Sequence, residues 1–434
     1  MDFTETSASK RICKVAFALN SKKLRKSSFS EPSSSTPAVC ASESPQSPKR
    51  SGNSSSGNDK GGEWRGGGLA DILSDEVTEG VQFFAFDASS ASSSSIQEQP
   101  VYDIIVHKLT EDLDKEESNG VVNDGDSSGD RLYAIRQYLK EHPRTIIIDP
   151  LESVKIVTSR ARTSNMLRHV CANIYGVCQP KYVLMDNIDD LTEAKLLENM
   201  DLHGLKFPVI CKPLKACGSP TSHHMVVVVD VQGLSLITFP CIIQQYHNHS
   251  SVFYKAYVIG TEVMVFRRPS LPDLEIGDVS SLAFDSRLEY PSLKEFTKEY
   301  NDNSCVENVT TDNDGACSGI STGVTSSNSG VVHQSEDYDE KNQHDVLSDT
   351  QHEMYISECP ASLEKLQGNF LDAAGAISAR FGLSLFGFDV ILPVDDEDKI
   401  FVIDVNFFPS YKEVSDFPSK LRNYFRKKAV STHV

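Results

Sequence analysis

Asp404 and Asn406 stand two residues apart in the apolar run KIFVIDVNF, residues 399 to 407. On a strand, that spacing projects both side chains from one face. Asp389 sits in a second apolar run, LSLFGFDVIL (383 to 392), and the polar VDDED between the runs predicts an antiparallel hairpin carrying all three oxygen-bearing side chains. Hard oxygen ligands suit Mg2+, which takes one or two carboxylates and completes its shell with phosphate oxygens and water. The plainer alternative is that Asp404 and Asn406 open a turn ahead of Pro409. An aspartate inside so apolar a run as LSLFGFDVIL is costly unless a cation or hydrogen bonds meet it, which favours the ligand reading.

Lys212 closes the run PVICKP (208 to 213), and the small-residue loop PLKACGSPTSHHM follows. A strand lysine facing such a loop can clamp nucleotide phosphates, with loop amides as further donors. A strand-end lysine beside an ordinary turn is the alternative, and the loop is not of the Walker type. Lys255 lies among Phe253, Tyr254 and Tyr257, which should fix its position, and Arg267 and Arg268 follow on the next strand. His223 and His224 end the loop and can donate to phosphate. His247 and His249, in HNHSS, read as surface loop. No Ser/His/Asp arrangement and no histidine spacing of a metal site is present.

These residues need a layered α/β frame, and short apolar runs alternating with helical patterns predict one. Strands are expected at 14–19, 81–86, 102–107 and 145–149 with a helix at 130–142, giving a small open-sheet N-terminal domain. A helix over SNMLRHVCANIYG follows, then strands at 208–213, 224–230, 241–246, 253–260 and 262–268, with Gly260-Thr261 as a hairpin turn. Leu363, Leu366, Phe370, Ile377 and Phe381 mark a helix near 361–381 ahead of the final hairpin. The expected division is an N-terminal α/β domain (1–156), a central lobe (157–270) and a C-terminal lobe (271–434). Two tracts, 27–68 and about 301–352, are rich in Ser, Pro, Gly, Asn and Asp and are too poor in apolar residues to offset their ordering entropy; they read as disordered insertions.

Composition sets outer limits. A chain of 434 residues with 39% hydrophobic content can build two or three cores. No run approaches the ~20 apolar residues of a membrane span, and the N-terminus lacks a signal-peptide pattern, so a cytoplasmic protein with nuclear access is expected. Ten cysteines without a CxxC pair read as reduced, mostly buried thiols. The net charge of -19 argues against a polyanionic ligand until position is considered. The acids concentrate in stretches such as EDLDKEE and SEDYDEKNQHD, whereas Lys and Arg lie in SKKLRK, SRAR, ICKPLK and FRR.

In this order, ICKPLKACGSPTSHHM, PCIIQQYHNHSSVFYKAYVIG, FRRPSL, SLFGFDVI and VIDVNFFPSYKEVSDF closely resemble the inositol-tetrakisphosphate 1-kinases, also called inositol-trisphosphate 5/6-kinases, and the long insertions look like those of plant members. The resemblance covers most of the chain, from VAFALNSKKLRK onwards. It implies an ATP-grasp fold, α/β in class, with a Rossmann-like open-sheet N-terminal domain and ATP held between a central and a C-terminal lobe. It implies that Arg160, Lys212, Gln244, Gln245, Tyr246, Lys255 and Ser270 contact ATP, and that Asp389, Asp404 and Asn406 bind magnesium, with two ions expected. It further implies that Lys23, Lys108, His223, Lys255 and Asn406 hold the inositol phosphate, and that Lys212, Lys255 and Asp404 carry the catalysis. Small-molecule substrates, no nucleic-acid or membrane partner and a monomeric state go with it. Three positions depart from the family pattern: Cys217 for the usual His or Asp, His224 for Glu, and Ser410 for Gly. The tract at 27–68 falls between the first strand and its following helix, where it bears on the placement of Lys23. Two other readings are an ATP-grasp carboxylate-amine ligase, disfavoured by the basic substrate side, and a non-catalytic inositol-phosphate-binding protein, disfavoured by the retained Asp389, Asp404, Asn406 and Lys212.

Overall fold

The structure, a computed structural model, describes residues 11–19, 76–88, 96–118, 131–185, 192–297 and 354–431. Lys23 and the tracts at 27–68 and 301–352 lie outside the described residues. Within them the chain forms three sheets. The first is parallel, with strands β1 (Cys13–Ala18), β2 (Val81–Ala85), β3 (Ile104–His107) and β4 (Ile146–Ile148) in the order β2-β1-β3-β4. Such strands are covered on both faces, which is why β1 and β3 are almost continuously apolar and buried. Helices Thr110–Ser118 and Arg131–Glu141 lie between β3 and β4.

A five-stranded sheet takes the order β12-β8-β7-β9-β6, from β6 (Tyr182–Met185), β7 (Val209–Pro213), β8 (His224–Val228), β9 (Cys241–Gln245) and β12 (Leu282–Asp285). A six-stranded sheet runs β13-β11-β10-β14-β15-β5, from β5 (Val177–Cys178), β10 (Val252–Ile259), β11 (Glu262–Pro269), β13 (Tyr355–Glu358), β14 (Leu385–Ile391) and β15 (Ile400–Phe407). The strands expected from the apolar runs form within a few residues of their predicted limits, and the helix expected at 164–176 is found at Arg160–Cys171. The Gly260-Thr261 turn joins Ile259 to Glu262 across the β10–β11 hairpin. Gly260 adopts a φ of 63°, and a Cβ there would come within 2.6 Å of the Tyr424 ring, so both backbone and space require glycine.

Sheet membership cuts across a boundary at 270. β10 and β11, upstream of it, pair into the C-terminal sheet because β10 lies directly against β14. β12, downstream of it, returns to edge the central sheet beside β8. The crossing matters for function, since the two sheets exchange strands at the place where they face each other.

The C-terminal helix, Phe417–Ser431, was not anticipated from the sequence. Its buried residues Phe417, Leu421, Phe425 and Ala429 recur every four positions and form one apolar stripe. Phe425 meets Phe17 and Phe83 edge-on at centroid separations of 6.2 and 6.3 Å, which docks the helix on the N-terminal sheet. Each fully buried aromatic there contributes ~1.5–3 kcal/mol.

A polar tie joins the same two parts. Asp149, buried just beyond β4, accepts hydrogen bonds from the backbone N–H of Ser384 (2.9 Å) and Leu385 (3.0 Å) and from the Ser384 hydroxyl, at the entry to β14. Removing the carboxylate leaves those donors without a partner in a buried place. Asp149→Ala is therefore expected to cost about 2–4 kcal/mol, and Asp149→Asn, which keeps one acceptor, less. Denaturant midpoints of the two variants check this, and equal midpoints for Ala and wild type would refute it.

Candidate active site

The five- and six-stranded sheets contribute opposite walls of a cavity of about 620 Å³. Its carboxylate corner is the β14–β15 hairpin. Asp389 pairs with Asp404, Gly387 pairs with Asn406, and the register shifts immediately after Asp389. An irregularity of this kind re-aims side chains beside a site. On the other side of β14, Lys255 of β10 is registered with Asp389, and its ammonium donates to Asp389 Oδ1 at 2.6 Å. Asn406 Nδ2 donates to Asp404 Oδ2 at 3.3 Å, and the backbone N–H of Val405 donates to Asp404 Oδ1 at 2.9 Å. Burial raises the Asp389 carboxyl above its ordinary pKa, Lys255 opposes this, and the neighbouring Asp404 adds to the rise.

A cation fits this corner. Two like-charged carboxylates meet on adjacent strands with one ammonium on the far side of Asp389, and the Asn406 amide oxygen supplies a third hard donor. Among the described residues no group of three or more His, Cys, Asp or Glu gathers as a closed metal cage. An open set of two carboxylates and an amide suits Mg2+, which keeps positions for phosphate oxygens and water.

The facing wall is cationic and tightly held. Lys212 of β7 is buried and donates to Gln244 Oε1 of β9 at 2.8 Å. Burial lowers its ammonium to about 8, against the opposing pull of Asp404. Arg160 begins the helix Arg160–Cys171, and its guanidinium donates to the carbonyls of Pro213 (2.7 Å), Lys215 (2.8 Å) and Ser222 (3.1 Å). It thereby fixes the whole loop after β7 while lining the cavity. His223 closes that loop, half-buried on the cavity wall, with its ring held below the usual histidine range first by burial and then by Arg160.

Gln245, Tyr246 and Ser270 also line the cavity. Gln245 Nε2 is committed to the carbonyls of Lys206 (2.8 Å) and Pro208 (3.1 Å), and the Tyr246 hydroxyl donates to Pro272 O at 2.5 Å. Lys108 is not among the lining residues; its ammonium donates to the Phe408 carbonyl at 2.6 Å and lies over the Phe408 ring, behind the end of β15.

Of the three departures, Ser410 is exposed on the cavity wall. The Cys217 thiol is pushed up to about 11 by burial, with Asp114 adding to it, and contacts Thr110 O. His224 points to solvent, 3.8 Å from Asp285.

One expectation is corrected. His249 is 5% exposed, not a surface-loop residue, and both histidines of HNHSS line the cavity. Its Nδ1–H donates to His247 O at 2.7 Å, so the neutral ring presents Nε2 as acceptor to the Ser270 hydroxyl at 2.7 Å. Burial keeps the ring neutral by lowering its pKa. The polar letters of HNHSS hid this, because the burial is satisfied by partners outside the segment, including Asp273 Oδ1, which accepts from the backbone N–H of His249.

Residues 284–290 were missed altogether. They run from the end of β12 and place Phe284, Ser286, Arg287, Glu289 and Tyr290 on the cavity wall, with Tyr290 edge-on to Phe253 at 6.3 Å. Burial pushes the Tyr290 hydroxyl up to about 12, and Asp389 and Asp404 add to it. The aromatic pair Phe284 and Tyr290 was the available signal.

Residues 172–308 and 307–427 match the inositol 1,3,4-trisphosphate 5/6-kinase ATP-grasp domain, and residues 72–154 match the pre-ATP-grasp domain of the same family. The inositol-tetrakisphosphate 1-kinase of Xenopus laevis is 27% identical over 76% of this chain and 68% of its own, and inositol-tetrakisphosphate 1-kinase 1 of Oryza sativa subsp. indica is 26% identical over 80% and 76%. Among solved structures, the VanG D-Ala:D-Ser ligase of Enterococcus faecalis superposes with a TM-score of 0.44 at 10% identity, covering 98% of this chain and 100% of that one. The family match makes the chain an ATP-grasp enzyme that transfers phosphate. The chain belongs to the inositol 1,3,4-trisphosphate 5/6-kinase family and is an ATP-dependent inositol phosphate kinase.

Proposed function

We propose that the chain transfers the γ-phosphate of ATP to a free hydroxyl of an inositol tris- or tetrakisphosphate, as an inositol 3,4,5,6-tetrakisphosphate 1-kinase or inositol 1,3,4-trisphosphate 5/6-kinase. The observation that carries this reading is the Asp389, Asp404 and Asn406 corner set across one cavity from buried Lys212, with Lys255 beside it. Lys212 holds a nucleotide phosphate from the β7 wall, with Arg160 shaping the loop whose amides face the same space. Gln244, Gln245 and Tyr246 pass along the nucleotide, and Ser270, oriented by neutral His249, lies at its far end. Asp389, Asp404 and Asn406 would hold magnesium, with two ions expected, and the bound metal would supply positive charge against the nucleotide phosphates. Lys255 and His223 orient the acceptor so that its hydroxyl lies in line with the γ-phosphorus; Lys23 and Lys108 are assigned to it by the family resemblance alone, since Lys108 is held by the Phe408 carbonyl away from the cavity wall. The chain supplies no nucleophile; positioning and electrostatics carry the rate.

The cationic groups on the wall, Lys255, Arg268 and Arg287, with the His223 ring beside them, suit a phosphorylated acceptor better than the carboxylate of an ATP-grasp ligase. No helix among the described residues is long and apolar enough to cross a membrane, and the proposed setting is a cytoplasmic monomer with access to the nucleus. The test is to incubate the purified chain with Mg2+, ATP and a panel of inositol tris- and tetrakisphosphates and to resolve the products. A new phosphate on at least one inositol is expected. ATP consumption that depends on an amino acid and leaves every inositol unchanged would instead establish a ligase.

A further inference from the structure

Arg268 is a cation on the cavity wall whose charge is already answered. Its Nη2 donates to Glu413 Oε1 and, at 3.3 Å, to the Tyr257 hydroxyl, while that hydroxyl donates to Glu413 Oε2 at 2.5 Å. Its Nε–H is buried without a hydrogen-bond partner among the described residues.

The register says where in the cavity this triad lies. One cross-strand row holds Lys255, Asp389 and Asp404, the carboxylate corner. The next row holds Tyr257, Gly387 and Asn406. Arg268 is rooted on β11 opposite Phe253, yet its guanidinium reaches the Tyr257 hydroxyl, past the carboxylate row. Ser270 and His249 lie towards the opposite end, where Val252 pairs with Pro269. Arg268 and Tyr257 line the cavity on the acceptor side of the candidate phosphate-transfer point, and Glu413 backs them without lining it.

Glu413 is held in place from behind. Tyr411, two residues earlier, is fully buried, donates to Val258 O at 2.8 Å and stacks on Phe417 at 4.7 Å. Lys255 is paired with a candidate metal ligand, but Glu413 is not one, so nothing in the nucleotide and metal machinery relieves Arg268 of its carboxylate.

We propose that Glu413 is a specificity-determining residue: clamped by Tyr257, it occupies the Arg268 guanidinium and makes the acceptor pocket selective against inositol phosphates bearing a phosphate in that sector. An acceptor phosphate at this place must displace Glu413 and meets its charge; a free hydroxyl there need not. The proposal rests on the inositol phosphate reading of the cavity.

The test is equilibrium binding to the full chain in Mg2+ and a non-hydrolysable ATP analogue. An inositol trisphosphate and inositol hexakisphosphate are titrated calorimetrically into wild type, Glu413→Gln and Tyr257→Phe. Glu413→Gln is expected to tighten the hexakisphosphate relative to the trisphosphate by roughly tenfold, the size of one charge-assisted hydrogen bond, with affinity for the ATP analogue unchanged. Tyr257→Phe, which only loosens the clamp, should move the ratio the same way by a smaller factor. An unchanged ratio in Glu413→Gln overturns the proposal and leaves Glu413 a purely structural partner. Wild-type turnover of the inositol panel is read separately, so a failure of the kinase reading is distinguished from a failure of this one.

Discussion

Asp404→Asn is expected to lower phosphate transfer by roughly 10²–10³-fold while leaving the chain folded. The substitution keeps size and shape. It also keeps an oxygen that can accept from the backbone N–H of Val405, the bond that orients this side chain at 2.9 Å. It removes one of two carboxylate charges from a corner in which the remaining one, Asp389, is already raised by burial and partly countered by Lys255. A corner with a single carboxylate and two amides binds a hard dication poorly, because charge as well as donor count sets its affinity. Raising magnesium should therefore recover part of the lost rate. Initial rates of ATP turnover over a magnesium series, with circular dichroism as the control for folding, check both statements. Turnover within a few-fold of wild type at low magnesium would remove Asp404 from the metal corner.

Strong periodicity explains which parts of this arrangement were legible in the sequence. Strands buried on both faces, such as β1, β3 and β14, must be apolar throughout, and the short polar link between β14 and β15 leaves an antiparallel return as the economical connection. That placed Asp389 against Asp404 before any coordinates. Lys212 and Lys255 stood out because the first ends an apolar strand before a small-residue loop and the second lies among aromatic residues.

What stayed hidden depends on partners distant in sequence. HNHSS is polar in every letter but one-sided in space, since Ser270 and Asp273 satisfy His249 from more than twenty residues away. The Arg268–Glu413 pair spans 145 positions, and neither residue carries a local pattern that names the other. The exchange of β10, β11 and β12 between the two sheets is a matter of pairing, and strand pairing across long separations has no one-strand signature. The helix Phe417–Ser431 did carry a four-residue apolar recurrence, which was there to be read.

Lys212→Met should reduce kcat/KM for ATP by about 100-fold, and its pH behaviour separates a phosphate clamp from a strand-end lysine. Methionine is unbranched like lysine, one atom shorter, and carries no charge into a buried place, so the charge-burial cost disappears, while Gln244 loses its partner at 2.8 Å. These effects oppose each other, and the variant is expected to fold. In the wild type, burial lowers the Lys212 ammonium from 10.5 to about 8. As pH rises through 8 the free enzyme loses the charge that meets ATP, so kcat/KM for ATP falls, because this ratio reports the free enzyme. Stability moves in the opposite sense. Below pH 8 both the folded and the unfolded lysine are protonated, and the group contributes no slope. Between about 8 and 10.5 the folded state has released the proton that the unfolded state still binds, so stability rises with pH across that window. A bystander lysine would show the stability slope without the activity limb. Loss of both in Lys212→Met, followed by rate measurements and denaturant midpoints from pH 6.5 to 10, assigns the charge to ATP binding, and an activity limb that persists in the methionine variant assigns it elsewhere.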